Sequence, residues 1–368
     1  MVFKIYSFFS GGGFLDLGFE ESNFEIVLVN EYQKEFIEAY KYSREKMELG
    51  TPKYGYFNCD ISDFLRKEKK ETLTKFIDED KADGNIIGFI GGPPCPDFSV
   101  AGKNKGIDGD NGKLTLAYKK LILQNCPDFF VLENVKGLWK TKKHRIEYEK
   151  LKQSFKRKGY VLIDNLVNSL EYGVPQSRER IFMIGIRSSL FKNQEALLEF
   201  KTKFTWGKNK TEDLNEILSK NWPLKNEFKE NSDAECPNNI IKELTVKFWF
   251  DKNDVDFHPN AKDFFNPKSS KIQLIEEGDV SRKSFKRLHR WRYSPTVAYG
   301  NNEVHLHPFK ARRISIAEAL ALQSLPKEYE LKPEIALTKK FKLVGNGVPY
   351  LVGKNIAREL NDFLKGIL

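Results

Sequence analysis

The run Gly91-Gly92-Pro93-Pro94-Cys95-Pro96-Asp97-Phe98-Ser99 sets a thiol behind two prolines, directly after the apolar segment Ile86–Ile90. Proline fixes φ and removes a backbone donor, so the chain leaves the predicted strand as a stiff loop instead of prolonging it. Cys95 thus falls at the carboxyl end of a strand, the edge where open α/β sheets carry their chemistry. A thiolate there is a nucleophile for covalent catalysis. On this run alone, a half-buried structural cysteine competes with that reading. Gly102, Gly106, Gly109 and Gly112 follow, interleaved with Lys103, Lys105, Asp108 and Asp110. They read as a polar loop able to close over a substrate.

Other residues have types suited to chemistry. Glu133-Asn134-Val135 follows the apolar run Phe129–Leu132, which puts a carboxyl group at the same sheet edge. Partly buried there, it can stay protonated and donate a hydrogen bond; an Asn-containing cap is the plainer alternative. Gln176-Ser177-Arg178-Glu179-Arg180 precedes the run Ile181–Ile186. Strand alternation predicts Gln176, Arg178 and Arg180 on one face, where paired guanidiniums can hold a phosphate or a carbonyl oxygen. Phe9-Ser10-Gly11-Gly12-Gly13 lies between the first strand and a helical pattern, so its backbone amides can approach a ligand. Glu31 ends the second strand, where an acidic side chain can accept from ribose hydroxyls, and Asp60 ends the third. With the glycine turn the set suits an adenosine-containing cofactor, while a tight turn with solvated strand ends is the alternative. Arg282–Arg292 holds Arg282, Lys283, Lys286, Arg287, Arg290 and Arg292 without an acid, with Phe285 and Trp291 between them. Basic and aromatic residues together suit a nucleic acid, although such segments are commonly just solvated. His305 and His307 share the only metal-like histidine spacing, and two ligands do not make a metal site, so no metal is expected.

Elements that position these residues are legible from periodicity. Strands are predicted over Phe3–Phe9, Ile26–Val29, Tyr56–Cys59, Ile86–Ile90, Phe129–Leu132, Tyr160–Leu166 and Ile181–Ile186. Helical patterns alternate with them, the signature of a doubly wound α/β sheet. Past Arg187 the chain turns Lys- and Asn-rich and weakly periodic, which predicts a smaller irregular domain. Ser315-Ile316-Ala317-Glu318 is a capping box that opens a helix ending before Pro326. Val352, Ile356, Leu360, Phe363, Leu364 and Ile367 recur on one face of a terminal helix expected to pack back on the first domain. The chain has 368 residues, enough for about two domains. A formal charge of +10 favours a polyanionic partner. Four cysteines without a Cys-x-x-Cys pair argue against a disulfide framework. No apolar run reaches membrane-spanning length, and a reducing cytoplasm is the expected compartment.

Assembled in order, the pieces resemble the cytosine-C5 DNA methyltransferase family, of the bacterial restriction-modification type. The carriers are Phe9-Ser10-Gly11-x-Gly13, Glu31, Asp60, Gly92-Pro93-Pro94-Cys95, Glu133-Asn134-Val135 and Gln176-x-Arg178-x-Arg180. Ser294-Pro295-Thr296-Val297, the Arg313 to Pro326 block and Gly345-Asn346-Gly347-Val348-Pro349 complete them. The resemblance implies a Rossmann-like S-adenosylmethionine-dependent methyltransferase domain (1–187), a target-recognition domain and hinge (188–334), and a C-terminal segment returning to the catalytic domain (335–368).

It also implies roles. Phe9, Gly11, Gly13, Glu31, Tyr32, Asp60, Ile61, Pro94, Asn346 and Val348 would line the S-adenosylmethionine pocket, with S-adenosylhomocysteine as product. Cys95 would attack cytosine C6, Glu133 would hold N3, and Arg178, with Arg180 beside it, would stand near O2. Ser99, Lys103, Gln176, Arg287, Arg290 and Arg292 would meet double-stranded DNA. A monomer in the bacterial cytoplasm, associated with the nucleoid through its DNA and accompanied by a separate restriction endonuclease, is the corresponding setting. Four positions depart from the family pattern: Ser7, Phe14, Pro96 and Asn111. An RNA cytosine methyltransferase of the same fold, a catalytically silent DNA-binding homologue and a nicotinamide or flavin oxidoreductase are the alternatives.

Overall fold

A computed structural model of the chain describes residues 2–94, 110–207, 213–267, 269–282, 284–297, 299 and 305–368, with backbone only at 110 and 111. Seven strands form one sheet: β1 (Phe3–Phe8), β2 (Phe24–Asn30), β3 (Tyr56–Phe57), β4 (Ile86–Gly91), β5 (Phe129–Val135), β6 (Tyr160–Asn168) and β7 (Glu179–Arg187). Their order is β3-β2-β1-β4-β5-β7-β6, with β7 antiparallel to both neighbours and the other pairings parallel. Each predicted strand is present, and β7 is the one reversal in an otherwise parallel sheet. The inner strands are near-continuous apolar runs because helices cover both sheet faces.

The helices are α1 (Phe14–Glu20), α2 (Lys34–Lys46), α3 (Lys67–Ala82), α4 (Asp110–Asn125), α5 (Lys136–Lys140), α6 (Lys142–Arg157), α7 (Gln194–Lys203), α8 (Leu214–Ser219), α9 (Val246–Lys252), α10 (Ile316–Leu322), α11 (Leu337–Asn346) and α12 (Tyr350–Ile367). On one sheet face Ile5, Ile26 and Val131 pack against Leu15 and Phe19 of α1 and Val352, Ile356, Leu360 and Leu364 of α12. On the other, Tyr6, Phe8, Val27 and Phe89 meet Leu73 of α3, Leu121 of α4 and Leu151 of α6. Successive strand residues point to opposite faces, so both cores are filled by the same short runs.

Downstream segments join the first half. Phe200 of α7 and Trp206 lie in the sheet's own core, beside α12. Trp249 and Phe250 of α9, the α10 residues and Phe341 of α11 form a second core with Leu17 of α1 and Phe36 of α2. The predicted capping box is formed: Ser315 Oγ accepts from Glu318 N, and Glu318 accepts from Ser315 N at 2.7 Å. Among the described residues no helix is long and apolar enough to cross a membrane.

Candidate active site

The glycine turn is built by backbone geometry. Phe9 follows β1 with φ 55°, Gly11 has φ 57° and Gly13 has φ 82°; glycine takes this left-handed region without steric cost. Ser10 N donates to Asn30 O at 3.1 Å and Gly13 N to Ser10 O at 2.8 Å, so the turn is tied to the end of β2 before α1 begins. Glu31 fastens it further: Oε2 accepts from Gly11 N at 2.9 Å and Oε1 from Gln33 N at 2.8 Å. Burial pushes the Glu31 carboxyl above its ordinary pKa, and these two amides pull it back. Asp60 accepts from Ser62 N at 2.8 Å, which caps the turn starting at Ile61 and fixes the carboxylate at the end of β3.

These groups line one cleft of about 680 Å³ at the carboxyl edge of the sheet. Phe9, Gly11, Glu31, Tyr32, Asp60, Ile61, Pro94, Asn346 and Val348 all border it. Gly13 stands behind the wall, where an added Cβ would strike the Tyr40 ring at 2.4 Å. Lys342 and Leu343 of α11 also border the cleft. Nothing in their local sequence singles them out, since only their helix's docking brings them there. Cys95, Ser99 and Lys103 lie outside the described residues, as do Pro96 and the side chain of Asn111.

The other end of the cleft holds Glu133 and Arg180, with Arg180 Nε 3.1 Å from Glu133 Oε1. Antiparallel pairing of β5 with β7 brings them together, since Glu133 registers opposite Phe182 and Arg180 opposite Val135. Gly92 makes the room: a Cβ there would lie 2.8 Å from Glu133 Oε2. Burial raises the Glu133 pKa, and the charges of Arg180 and Arg178 act against that rise.

Four expectations are corrected here. Gln176 and Arg178 share no strand face with Arg180, because β7 starts only at Glu179 and residues 175–177 instead pair with Ser294. Arg178 is buried and donates to Val297 O at 2.8 Å, Gly345 O at 2.9 Å and Gly347 O at 3.0 Å. It ties the turn that carries Asn346 to the 294–297 segment, and Arg180 is the guanidinium beside Glu133. Gln176 is fully buried: it donates to Leu322 O and Gln323 Oε1 and accepts from Val297 N. Arg287 is also fully buried, donating to Ile275 O, Ile272 O and His307 O. Arg290 forms a buried pair with Glu277, through Nε and Nη2, each at 2.8 Å. Of the three arginines expected at DNA, Arg292 alone stays partly exposed, beside a smaller cavity of about 260 Å³ lined by His289, Tyr293 and Thr296.

Two departures from the family pattern have structural explanations. Phe14 fits because Gly347 and Gly12 face its ring; a Cβ on Gly347 would fall 2.2 Å from that ring. Ser7 donates to Asp16 Oδ1 at 2.8 Å, and Tyr40 donates to Asp16 Oδ2 at 2.9 Å. A buried carboxyl group thus reaches the position below the glycine turn from α1 rather than from β1. Sequence reasoning misses Asp16, because only the packing of α1 on β1 shows what it serves.

A doubly wound sheet whose carboxyl edge joins a nucleoside-sized, acid-lined pocket to a buried carboxylate–guanidinium pair defines an α/β enzyme. The sequence profile of C-5 cytosine-specific DNA methylases matches residues 3–362. The Type II methyltransferase M.NmeDI of Neisseria meningitidis serogroup C is 53% identical over 98% of this chain and 84% of its own length. The Type II methyltransferase M.FnuDI of Fusobacterium nucleatum is 30% identical over 98% of this chain and 95% of its own. In fold, the chain is similar to S. pombe Dnmt2 methyltransferase, with a TM-score of 0.60 at 14% identity over 99% of this chain and 98% of that one. The chain belongs to the C-5 cytosine-specific DNA methylase family and is a DNA (cytosine-5-)-methyltransferase.

Proposed function

We propose that the enzyme methylates C5 of a cytosine rotated out of duplex DNA, with Cys95 as the nucleophile and Glu133 and Arg180 holding the base. The buried Glu133–Arg180 pair, next to Gly92-Pro93-Pro94 at the rim of the cleft, carries this reading. Cytosine C5 is a weak nucleophile. Addition of the Cys95 thiolate to C6 places the displaced π electrons on C5 and N3, so C5 gains enamine character. Glu133, its pKa raised by burial, offers a proton or hydrogen bond to N3 as charge gathers there. Arg180 orients that carboxyl group and is the guanidinium available to the O2 side. Removal of the C5 proton after methylation returns the electron pair, and the C6–S bond breaks to release Cys95. None of these atoms is accessible within a duplex, so the base must leave the stack.

The long cleft fits S-adenosylmethionine, which supplies an electrophilic methyl group on a sulfonium. Glu31 would accept from the ribose hydroxyls and Asp60 from the adenine amine, with Phe9 and Ile61 as apolar walls. Gly11 leaves space, since a Cβ there would meet nothing within 4 Å. The irregular segments within 188–334 suit target recognition and a hinge, and 335–368, with α11 and α12, suits the segment returning to the catalytic domain. We read the setting as Type II restriction-modification, as the names of the two relatives suggest, and propose with it a separate nuclease, a monomer and the bacterial cytoplasm.

Expression in a host without cytosine methylation, followed by bisulfite sequencing of its genome, tests the reaction. Protected cytosines within one short recurring sequence are expected. Cys95→Ser should abolish methyl transfer and keep S-adenosylhomocysteine binding; transfer at a near wild-type rate would refute the covalent step.

A further inference from the structure

Two of the three arginines first expected to meet DNA, Arg287 and Arg290, are spent inside the fold, and much of the chain's positive charge lies on other surfaces. Residues 136–145 carry Lys136, Lys140, Lys142, Lys143 and Arg145 and no acid. They form the corner where α5 runs into α6, immediately after the strand that bears Glu133. Lys136 and Lys140 both pair with Glu179, the residue before Arg180. One step along β7 therefore separates this corner from the Glu133–Arg180 pair. Arg145 lies flat over Trp139, 3.5 Å from the ring centroid, and pairs with Glu149, which fixes the shape of the turn. Lys142 and Lys143 then project, exposed, from the first turn of α6. Among the described residues no carboxylate lies within ion-pairing distance of either.

Two unneutralised ammonium groups at the positive end of a long helix, on a stiff corner beside the reacting groups, match a phosphodiester backbone. We propose that the α5–α6 corner, through Lys142 and Lys143, receives the DNA backbone flanking the target cytosine. This deepens the DNA-methyltransferase reading and rests on it. Such interactions position the duplex and carry no sequence information.

The test is the salt dependence of binding to a random-sequence duplex and to a duplex holding the methylated site, for wild type and Lys142→Ala/Lys143→Ala. Each phosphate that a lysine no longer neutralises should reduce the magnitude of the slope of log K against log salt by about 0.9. The double variant's slope should thus be shallower by up to about 1.8 on both duplexes, with affinity for S-adenosylhomocysteine unchanged. Lys142→Glu/Lys143→Glu should weaken both duplexes further at low salt. An unaltered slope, or an effect confined to the site-containing duplex, overturns the proposal. Wild-type binding without any salt dependence would overturn the DNA reading itself, and this proposal with it.

Discussion

Asp16 is a residue whose chemistry its surroundings change. Burial pushes its carboxyl pKa from 3.8 up to about 7, against the downward pull of hydrogen bonds from Ser7 and Tyr40. A carboxyl group whose folded pKa is raised contributes its full stability below its ordinary pKa and loses it as pH climbs through the folded one. Wild-type stability should therefore fall between about pH 4 and 7 by up to about 4 kcal/mol on account of this group. Asp16→Asn keeps an oxygen for one of the two donors and removes the titration. Denaturant unfolding over that pH window should show the variant's stability declining less steeply than wild type; parallel curves would refute this account. Glu133 is raised by the same physics, with the charges of Arg180 and Arg178 acting against the rise.

At the scale of elements, the packing of α1 on α12 matters most to the site, because α1 starts at the glycine turn and α12 follows the Asn346 turn. Gly18 allows their close approach: a Cβ would lie 2.5 Å from Lys354 N and 2.8 Å from Gly353 C, both backbone atoms that cannot swing aside. Gly18→Ala should cost about 1–3 kcal/mol by forcing the helices apart, read as a lowered urea midpoint, and should weaken S-adenosylhomocysteine binding. Unchanged stability would mean that α12 shifts freely. Arg178 works at this scale too, since its donations to Val297, Gly345 and Gly347 join the far segment to the cofactor-side turn.

For the whole molecule, one cleft at the carboxyl edge of the sheet is lined by both Asp60 and Glu133. A ligand that binds only the folded state adds RT ln(1 + [L]/Kd) of stability, about 2.7 kcal/mol at a hundredfold excess over Kd. S-adenosylhomocysteine should raise the melting temperature accordingly, and NADH at the same concentration should not. Protection by NADH alone would revive the oxidoreductase alternative. The net charge of +10 has two fates: Arg287 and Arg290 are consumed as internal struts, while Lys142 and Lys143 of the α5–α6 corner stay exposed.

Sequence alone determined the strand positions, the capping box at Ser315, the buried face of α12 and the motif order that identifies the family. These follow from local periodicity and from residue types at short separations. Tertiary structure alone decided which arginine stands beside Glu133. Alternation put Arg178 and Arg180 on one face, but the chain enters β7 only at Glu179, and the carbonyls that claim Arg178 lie more than a hundred residues away. It likewise decided that Arg287 is interior, since its partners at Ile272, Ile275 and His307 converge only on folding. A charge run records how many cations a segment carries; whether each meets water, a carbonyl or a phosphate depends on what long-range packing brings against it.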